Sequence, residues 1–106
     1  MQSETCPSPT STPELPLSLA PVFRALADPV RRNLIDRLHA RNGQTLRELC
    51  IGLAMARQSV TQHLVLLERA GLLRVEWGGR EKRHFLNATG IYAVWEHWIV
   101  KFAPSP

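Results

Sequence analysis

The sequence has few of the residue combinations on which metal centres and disulfide-stabilised folds depend. Its 106 residues include only two cysteines, Cys6 and Cys50, which are too far apart in the chain to form a metal-type pair and too few for a disulfide framework. The four histidines show no i, i+4 pairing. A zinc site requires four ligands and a soft-metal site two or three thiolates, so we expect no metal and no cofactor.

Long apolar runs and catalytic motifs are also lacking. The chain shows neither a positively charged start followed by an apolar segment nor a run long enough to span a bilayer, so we expect a cytoplasmic protein without a membrane partner. It has no glycine-rich phosphate loop, no paired carboxylates on one face and no serine or cysteine beside a plausible base. We therefore expect no enzymatic activity.

Charge is unevenly distributed along the chain. The net charge is +4, yet residues 1–21 contain Glu4 and Glu14 and no lysine or arginine. A basic body behind a mildly acidic tail is typical of nucleic-acid-binding proteins, although many basic proteins bind nothing anionic. The length allows one small domain that can bury only a modest apolar core by itself.

Four prolines among serines and threonines dominate residues 1–16, and such a composition predicts a disordered tail. Residues 17–103 then form the expected folded domain. Apolar spacing predicts a first helix that begins near Leu19. Asp28-Pro29 predicts the start of a second helix, because aspartate is a good cap and proline fits the first helical position. This helix should run to about Arg41 and end at Asn42-Gly43.

Residues 45–72 predict two short helices joined by a tight turn. Thr45 and Glu48 have the spacing of a capping box at the start of the first. In the second, the periodicity turns Val60, Leu64, Leu67 and Gly71 to one side. Side chains suited to phosphate oxygens and base edges cluster at the amino-terminal end of that second helix, where a recognition helix meets the major groove of DNA. They are Arg57, Gln58, Ser59, Thr61 and Gln62.

A basic hairpin is predicted next. The segments Leu73–Trp77 and Lys82–Leu86 contain aromatic and β-branched residues and flank Gly78-Gly79. Arg80, Lys82 and Arg83 should hold the DNA backbone or enter the minor groove. The position of this hairpin directly after a recognition-type helix identifies it as the wing of a winged-helix domain.

The final segment, Thr89 to Phe102, is predicted to be a helix that is apolar around most of its circumference. Such a helix must be buried on two sides, and a chain this small cannot bury it alone. We therefore expect a homodimer built from the first and last helices. The residues expected at its interface are Phe23, Trp95, Trp98 and Phe102.

Three stretches resemble the ArsR-type family of dimeric winged-helix repressors: FRALADPVRRNLIDRL at 23–38, MARQSVTQHLVLLERAGLL at 55–73, and GREKRHFLN at 79–87. Arg57-Gln58 and the closing aromatic pattern look most like the non-metal branch often encoded beside SRPBCC-type proteins. The resemblance implies an α+β, mostly α, winged helix-turn-helix fold with about five helices and one two-stranded β-hairpin wing. It also implies a homodimeric repressor that binds a palindromic double-stranded operator. One departure is Ala56, which stands where relatives commonly carry a capping serine or threonine.

Two alternatives stay open. The chain could be a thiol- or metal-responsive repressor of the same fold that uses Cys50 and Cys6, although Cys50 falls on an apolar helix face and is expected to pack in the core. It could also be a winged-helix module that binds protein. The basic, solvent-facing end of the second helix in residues 45–72 argues against the latter, since a protein-binding module does not need it.

Overall fold

The computed structural model describes residues 19–104, so the predicted tail at 1–16 and Cys6 lie outside the described residues. Five helices and a three-stranded antiparallel sheet form the domain, and the predicted fold class is confirmed. The elements are α1 (Ala20–Leu26), α2 (Pro29–Ala40), β1 (Gln44–Thr45), α3 (Leu46–Cys50), α4 (Arg57–Arg69), β2 (Leu73–Gly78), β3 (Glu81–Leu86), α5 (Thr89–His97) and a last 3-10 turn (Ile99–Phe102). No helix in this part of the chain is long and apolar enough to cross a membrane.

Asp28 fixes the start of α2 as the sequence predicts. Its carboxylate accepts hydrogen bonds from the backbone N–H groups of Val30 (2.7 Å) and Arg31 (3.2 Å), and Pro29 occupies the first turn. Desolvation acts to raise the pKa of Asp28, but these two hydrogen bonds and the charge of Arg31 outweigh it and hold the pKa below its ordinary value. The cap is therefore a carboxylate at neutral pH.

The chain leaves α2 through Gly43 and forms a strand that the sequence did not predict. Gly43 has a positive φ of 80°, and a Cβ there would lie 3.3 Å from the Phe85 ring. β1 then pairs with β3, with Gln44 opposite His84. Two residues carry no recognisable strand pattern, and only the neighbouring β3 turns them into a strand.

The two helices predicted within residues 45–72 are α3 and α4. The capping box of Thr45 and Glu48 is present, while Ala56 at the start of α4 provides no side-chain cap, as its sequence position predicts. Val60, Leu64 and Leu67 are buried. Gly71 was wrongly assigned to this apolar face. It lies beyond the end of the helix, exposed, with a φ of 79° that ends the helix by a left-handed residue.

The hairpin is confirmed with its turn shifted by one residue. Gly78 pairs with Glu81 as the last pair of the ladder, so the turn consists of Gly79 and Arg80 instead of Gly78 and Gly79. Gly79 has a φ of 69°, which a tight turn between two strands requires and which glycine adopts without strain. The shift places Arg80 at the tip of the hairpin.

The predicted last helix is shorter than expected. α5 ends at His97, the backbone of Trp98 departs from helical geometry (φ −138°, ψ −54°), and a 3-10 turn follows. Ala103 is extended (ψ 142°) because the following residue, Pro104, disfavours a helical conformation before it.

Every α-helix contributes to one apolar core. The side chains with relative exposure below 2% are Leu34, Leu38, Leu49, Val60, Leu67, Leu72 and Val94. This core fixes α3 and α4 against α2 and the base of the hairpin, which holds the exposed face of α4 in a set position relative to β2 and β3.

Arg31 connects three helices in the monomer. Its guanidinium donates to the carbonyl oxygens of Ala25 (2.9 Å) and Arg24 (3.3 Å) near the end of α1, and to Nδ1 of His63 (3.3 Å) on α4. Asp28 lies 4.0 Å away as an ion-pair partner. The side chain is only 15% exposed, so these groups replace the water that the guanidinium loses on folding.

Candidate nucleic-acid interface

The surface of α4 divides into three stripes, because successive helical residues are rotated by about 100°. Val60, Leu64 and Leu67 face the core. The second stripe, which includes Arg57 and Thr61, faces the hairpin. The third carries Gln58 and Gln62, which are exposed and point away from the rest of the domain.

The five residues predicted on the recognition helix are therefore not equivalent. Arg57, Gln58, Thr61 and Gln62 are exposed together on the first turns of α4. Ser59 is half-buried on the opposite flank, and its N–H bonds the carbonyl of Ala56 within the first turn. The structure brings four of the five candidates onto one accessible surface and leaves Ser59 at its margin.

A groove of about 460 Å³ separates α4 from the hairpin. Apolar groups form much of its lining, and charged side chains stand at its rim. Its lining from α4 includes Arg57, Thr61, Leu64, Val65 and Glu68, and its lining from the hairpin includes Val75, Trp77, Arg80, Glu81, Lys82 and His84. We call this space the helix–hairpin groove.

The three basic residues predicted on the hairpin point in different directions. Arg80 lies in the exposed turn, and Lys82 lines the helix–hairpin groove. Arg83 is on the opposite face of β3, because side chains alternate along a strand, and its Nη1 donates to the carbonyl oxygen of Gly43 at 3.0 Å. A Cβ at Gly78 would lie 3.2 Å from Nε of Arg83. The guanidinium of Arg83 is thus engaged in a hydrogen bond within the protein.

Sequence reasoning missed Trp77 as a candidate functional residue. The indole is 67% exposed and lies on the groove side of β2, directly opposite Lys82, whose ammonium is 5.4 Å from the ring centroid. The alternation of the strand, with Val75 and Trp77 on one face, was the available signal. It gains meaning only once α4 is known to lie opposite that face.

Cys50 and His84 take structural positions. Cys50 is partly buried and packs against the core, as expected. His84 is buried, and its Nδ1 lies 2.9 Å from the carbonyl oxygen of Gln44, which it bonds as a donor since a carbonyl can only accept. Among residues 19–104, no group of three or more His, Cys, Asp or Glu side chains is arranged to hold a metal ion.

An aromatic cluster lies where α1 meets the end of the chain. The ring of Trp98 makes edge-to-face contacts with Phe23 (centroids 5.5 Å apart) and Phe102 (5.2 Å). Despite these contacts Phe23 is 43% exposed, Trp95 42% and Phe102 65%. The described chain therefore leaves Phe23, Trp98 and Phe102 together on one partly uncovered apolar surface, and Trp95 is exposed on the adjoining helix α5.

Two short helices joined by a tight turn, with an antiparallel hairpin directly after the second, define a winged helix-turn-helix domain. A family model described as a helix-turn-helix domain matches residues 26–76. The uncharacterized HTH-type transcriptional regulator YuzN of Bacillus subtilis (strain 168) is 34% identical over an alignment of 84 residues, and the match covers 74% of this chain and 91% of that protein.

Solved structures give the same assignment. The crystal structure of an ArsR family transcriptional regulator is 33% identical and matches with a TM-score of 0.73 over 86% of this chain and 92% of that one. The NMR structure of the cadmium metal-sensor CMTR from Mycobacterium tuberculosis is 30% identical, with a TM-score of 0.57 over 83% of this chain and 91% of that one. The chain belongs to the ArsR family of helix-turn-helix transcriptional regulators.

Proposed function

We propose that this regulator is a homodimeric repressor that binds a roughly palindromic DNA operator. The observation that carries the proposal is the exposed cluster of Arg57, Gln58, Thr61 and Gln62 on the first turns of α4, beside a hairpin with Arg80 at its tip. No acidic residue lies in the first turn of α4. These four polar side chains are therefore suited to contact phosphates and base edges.

Homodimerisation sets the geometry of binding. The partly uncovered aromatic surface of α1 and α5 supports a two-fold dimer, in which two copies of α4 would enter successive major grooves about one helical turn apart. Repression would follow from occlusion of the promoter. Selection of bound sequences from a random DNA pool tests this directly, because it yields an operator with two related half-sites if the proposal is right and no enrichment if it is wrong.

The proposal also covers the location of the protein and the activities that we expect it to lack. We assign the protein to the cytoplasm, with no catalytic activity, no cofactor and no metal. Cys50 packs against the core, which supports the branch of the family without metal sensing over a thiol- or metal-responsive regulator. Titration of accessible thiols in the native protein separates the two, since an unreactive Cys50 is expected.

Gln58→Ala is expected to reduce sequence preference more than general affinity. The amide of an outward-facing glutamine can bond an adenine in the major groove through two hydrogen bonds, which contribute about 1–3 kcal/mol of discrimination. Binding to the selected operator should weaken by that amount, and binding to random DNA much less. Fluorescence anisotropy with both duplexes measures the difference. Equal weakening on both would show that Gln58 contacts phosphate only.

Arg80→Ala is expected to reduce the salt dependence of binding. Each cation that neutralises a phosphate releases about one condensed counterion. Because a dimer has two hairpins, the slope of log K against log salt concentration should fall in magnitude by up to about 2. The preference for the operator sequence should be mostly kept. Arg69→Ala is the matched control, since Arg69 lies about 18 Å along α4 from Arg57. An unchanged slope for Arg80→Ala would exclude the hairpin tip from the phosphate contacts.

A further inference from the structure

The most exposed aromatic side chain outside the α1 and α5 surface is Trp77, on the hairpin. A tryptophan that serves the core buries its indole, whereas this one leaves 67% of its surface to water. It nevertheless faces inward along the helix–hairpin groove, in line with Val75 on the same face of β2. Its position on the wall of an open groove suits contact with a ligand better than packing.

Cationic groups line the same groove as this indole. Lys82 holds its ammonium 5.4 Å from the ring centroid, Arg80 lies at the hairpin tip, and Arg57 lines the wall formed by α4. Carboxylates at the groove are fewer: Glu81 lies 3.8 Å from Arg47, and Glu68 is near the far end of α4. The end of the groove beside Arg57 is therefore positive at its rim and apolar along its floor.

This pattern matches the chemistry of one strand of DNA. A sugar–phosphate backbone alternates anionic phosphates with deoxyriboses whose faces are largely apolar, so it suits a groove that combines cations with an exposed indole. If α4 enters a major groove and the hairpin reaches the adjacent minor groove, the backbone that separates these two grooves must pass between helix and hairpin. That is where the helix–hairpin groove lies.

We propose that the helix–hairpin groove binds one sugar–phosphate strand of duplex DNA, with Trp77 packed against a deoxyribose and Arg57, Arg80 and Lys82 on the flanking phosphates. The proposal rests on the proposed DNA-binding function and deepens it. It divides the surface of α4 into a backbone-holding stripe, which carries Arg57 and Thr61, and a base-reading stripe, which carries Gln58 and Gln62. The contact by Trp77 is independent of sequence, because every nucleotide presents the same sugar.

The test uses the full chain and a fluorescein-labelled duplex of random sequence, about 30 base pairs long to span two half-sites. Trp77→Ala should weaken binding about tenfold, which corresponds to about 0.7 kcal/mol for the indole–sugar contact in each half of the dimer. The salt slope should not change, since an indole releases no counterion. Trp77→Phe should recover most of the affinity. Lys82→Gln is the matched comparison and should lower the slope by up to about 2.

Acrylamide quenching reports on the indole itself. Duplex DNA should protect part of the tryptophan emission of the wild-type protein, and this protection should be absent in Trp77→Phe, which retains Trp95 and Trp98. The inference is overturned if Trp77→Ala binds as the wild type does, if its salt slope falls, or if Trp77→Phe keeps the protection. Wild-type protein that binds neither random nor selected duplexes would instead remove the proposed function as a whole.

Discussion

Trp95→Asp is expected to convert the protein to monomers and to lower operator affinity by about a hundredfold or more. Trp95 is 42% exposed in the single chain, so its replacement spares the core and places a carboxylate in the proposed interface. Each indole withdrawn from water contributes roughly 1.5–3 kcal/mol, and two-fold symmetry doubles the loss. Monomers bind each half-site alone and lose the advantage of a linked second contact, which is of the order of 10² to 10⁴.

Sedimentation velocity at micromolar concentration gives the oligomeric state, and anisotropy gives the affinity. Trp77→Asp is the matched control: it is the same substitution at an exposed tryptophan on the hairpin, and it should leave the dimer intact while weakening DNA binding. Trp98→Asp is less informative, because Trp98 also packs against Phe23 and Phe102 within the chain. A wild-type protein that sediments as a monomer, or a dimeric Trp95→Asp, would refute the assigned interface.

Arg31→Ala is expected to lower the free energy of unfolding by about 2–4 kcal/mol. The substitution removes the side-chain hydrogen bonds to the carbonyl oxygens of Ala25 and Arg24. It also breaks the contact with His63 on α4. Unpaired, partly buried acceptors cost about 1–3 kcal/mol each. A small domain has about 5–15 kcal/mol in total, so the loss is a large share of its stability.

The neighbouring Arg32 offers a matched control for this measurement. Its exposed guanidinium makes one hydrogen bond in the described structure, to the carbonyl oxygen of Leu26, so Arg32→Ala should cost no more than about 1 kcal/mol. Urea denaturation followed by circular dichroism measures both variants. Equal losses for the two would show that the link from α1 to α4 through Arg31 adds nothing beyond an ordinary surface hydrogen bond.

The sequence alone determined the local features of this protein. Asp28-Pro29 and the pair of Thr45 with Glu48 mark two helix starts, because capping depends on a few adjacent residues and little else. The outward position of Gln58 on α4 likewise follows from a helical period. The helix-turn-helix could be predicted on this basis, the hairpin from glycines between two short β-type runs, and the family from the resemblance of three stretches of sequence.

Tertiary structure decided how those elements work together. Lys82 and Arg83 are neighbours in the sequence, yet one lines the helix–hairpin groove and the other bonds Gly43 across the sheet. Trp77 acquires its proposed role only because α4 lies opposite its face of β2. Helix capping and helical periodicity depend on residues within about one turn of each other. Which face of a hairpin becomes covered depends instead on elements that are distant in the sequence. The helix that we propose to read DNA could therefore be predicted from the sequence, whereas the shape of the groove beside it is set by tertiary packing.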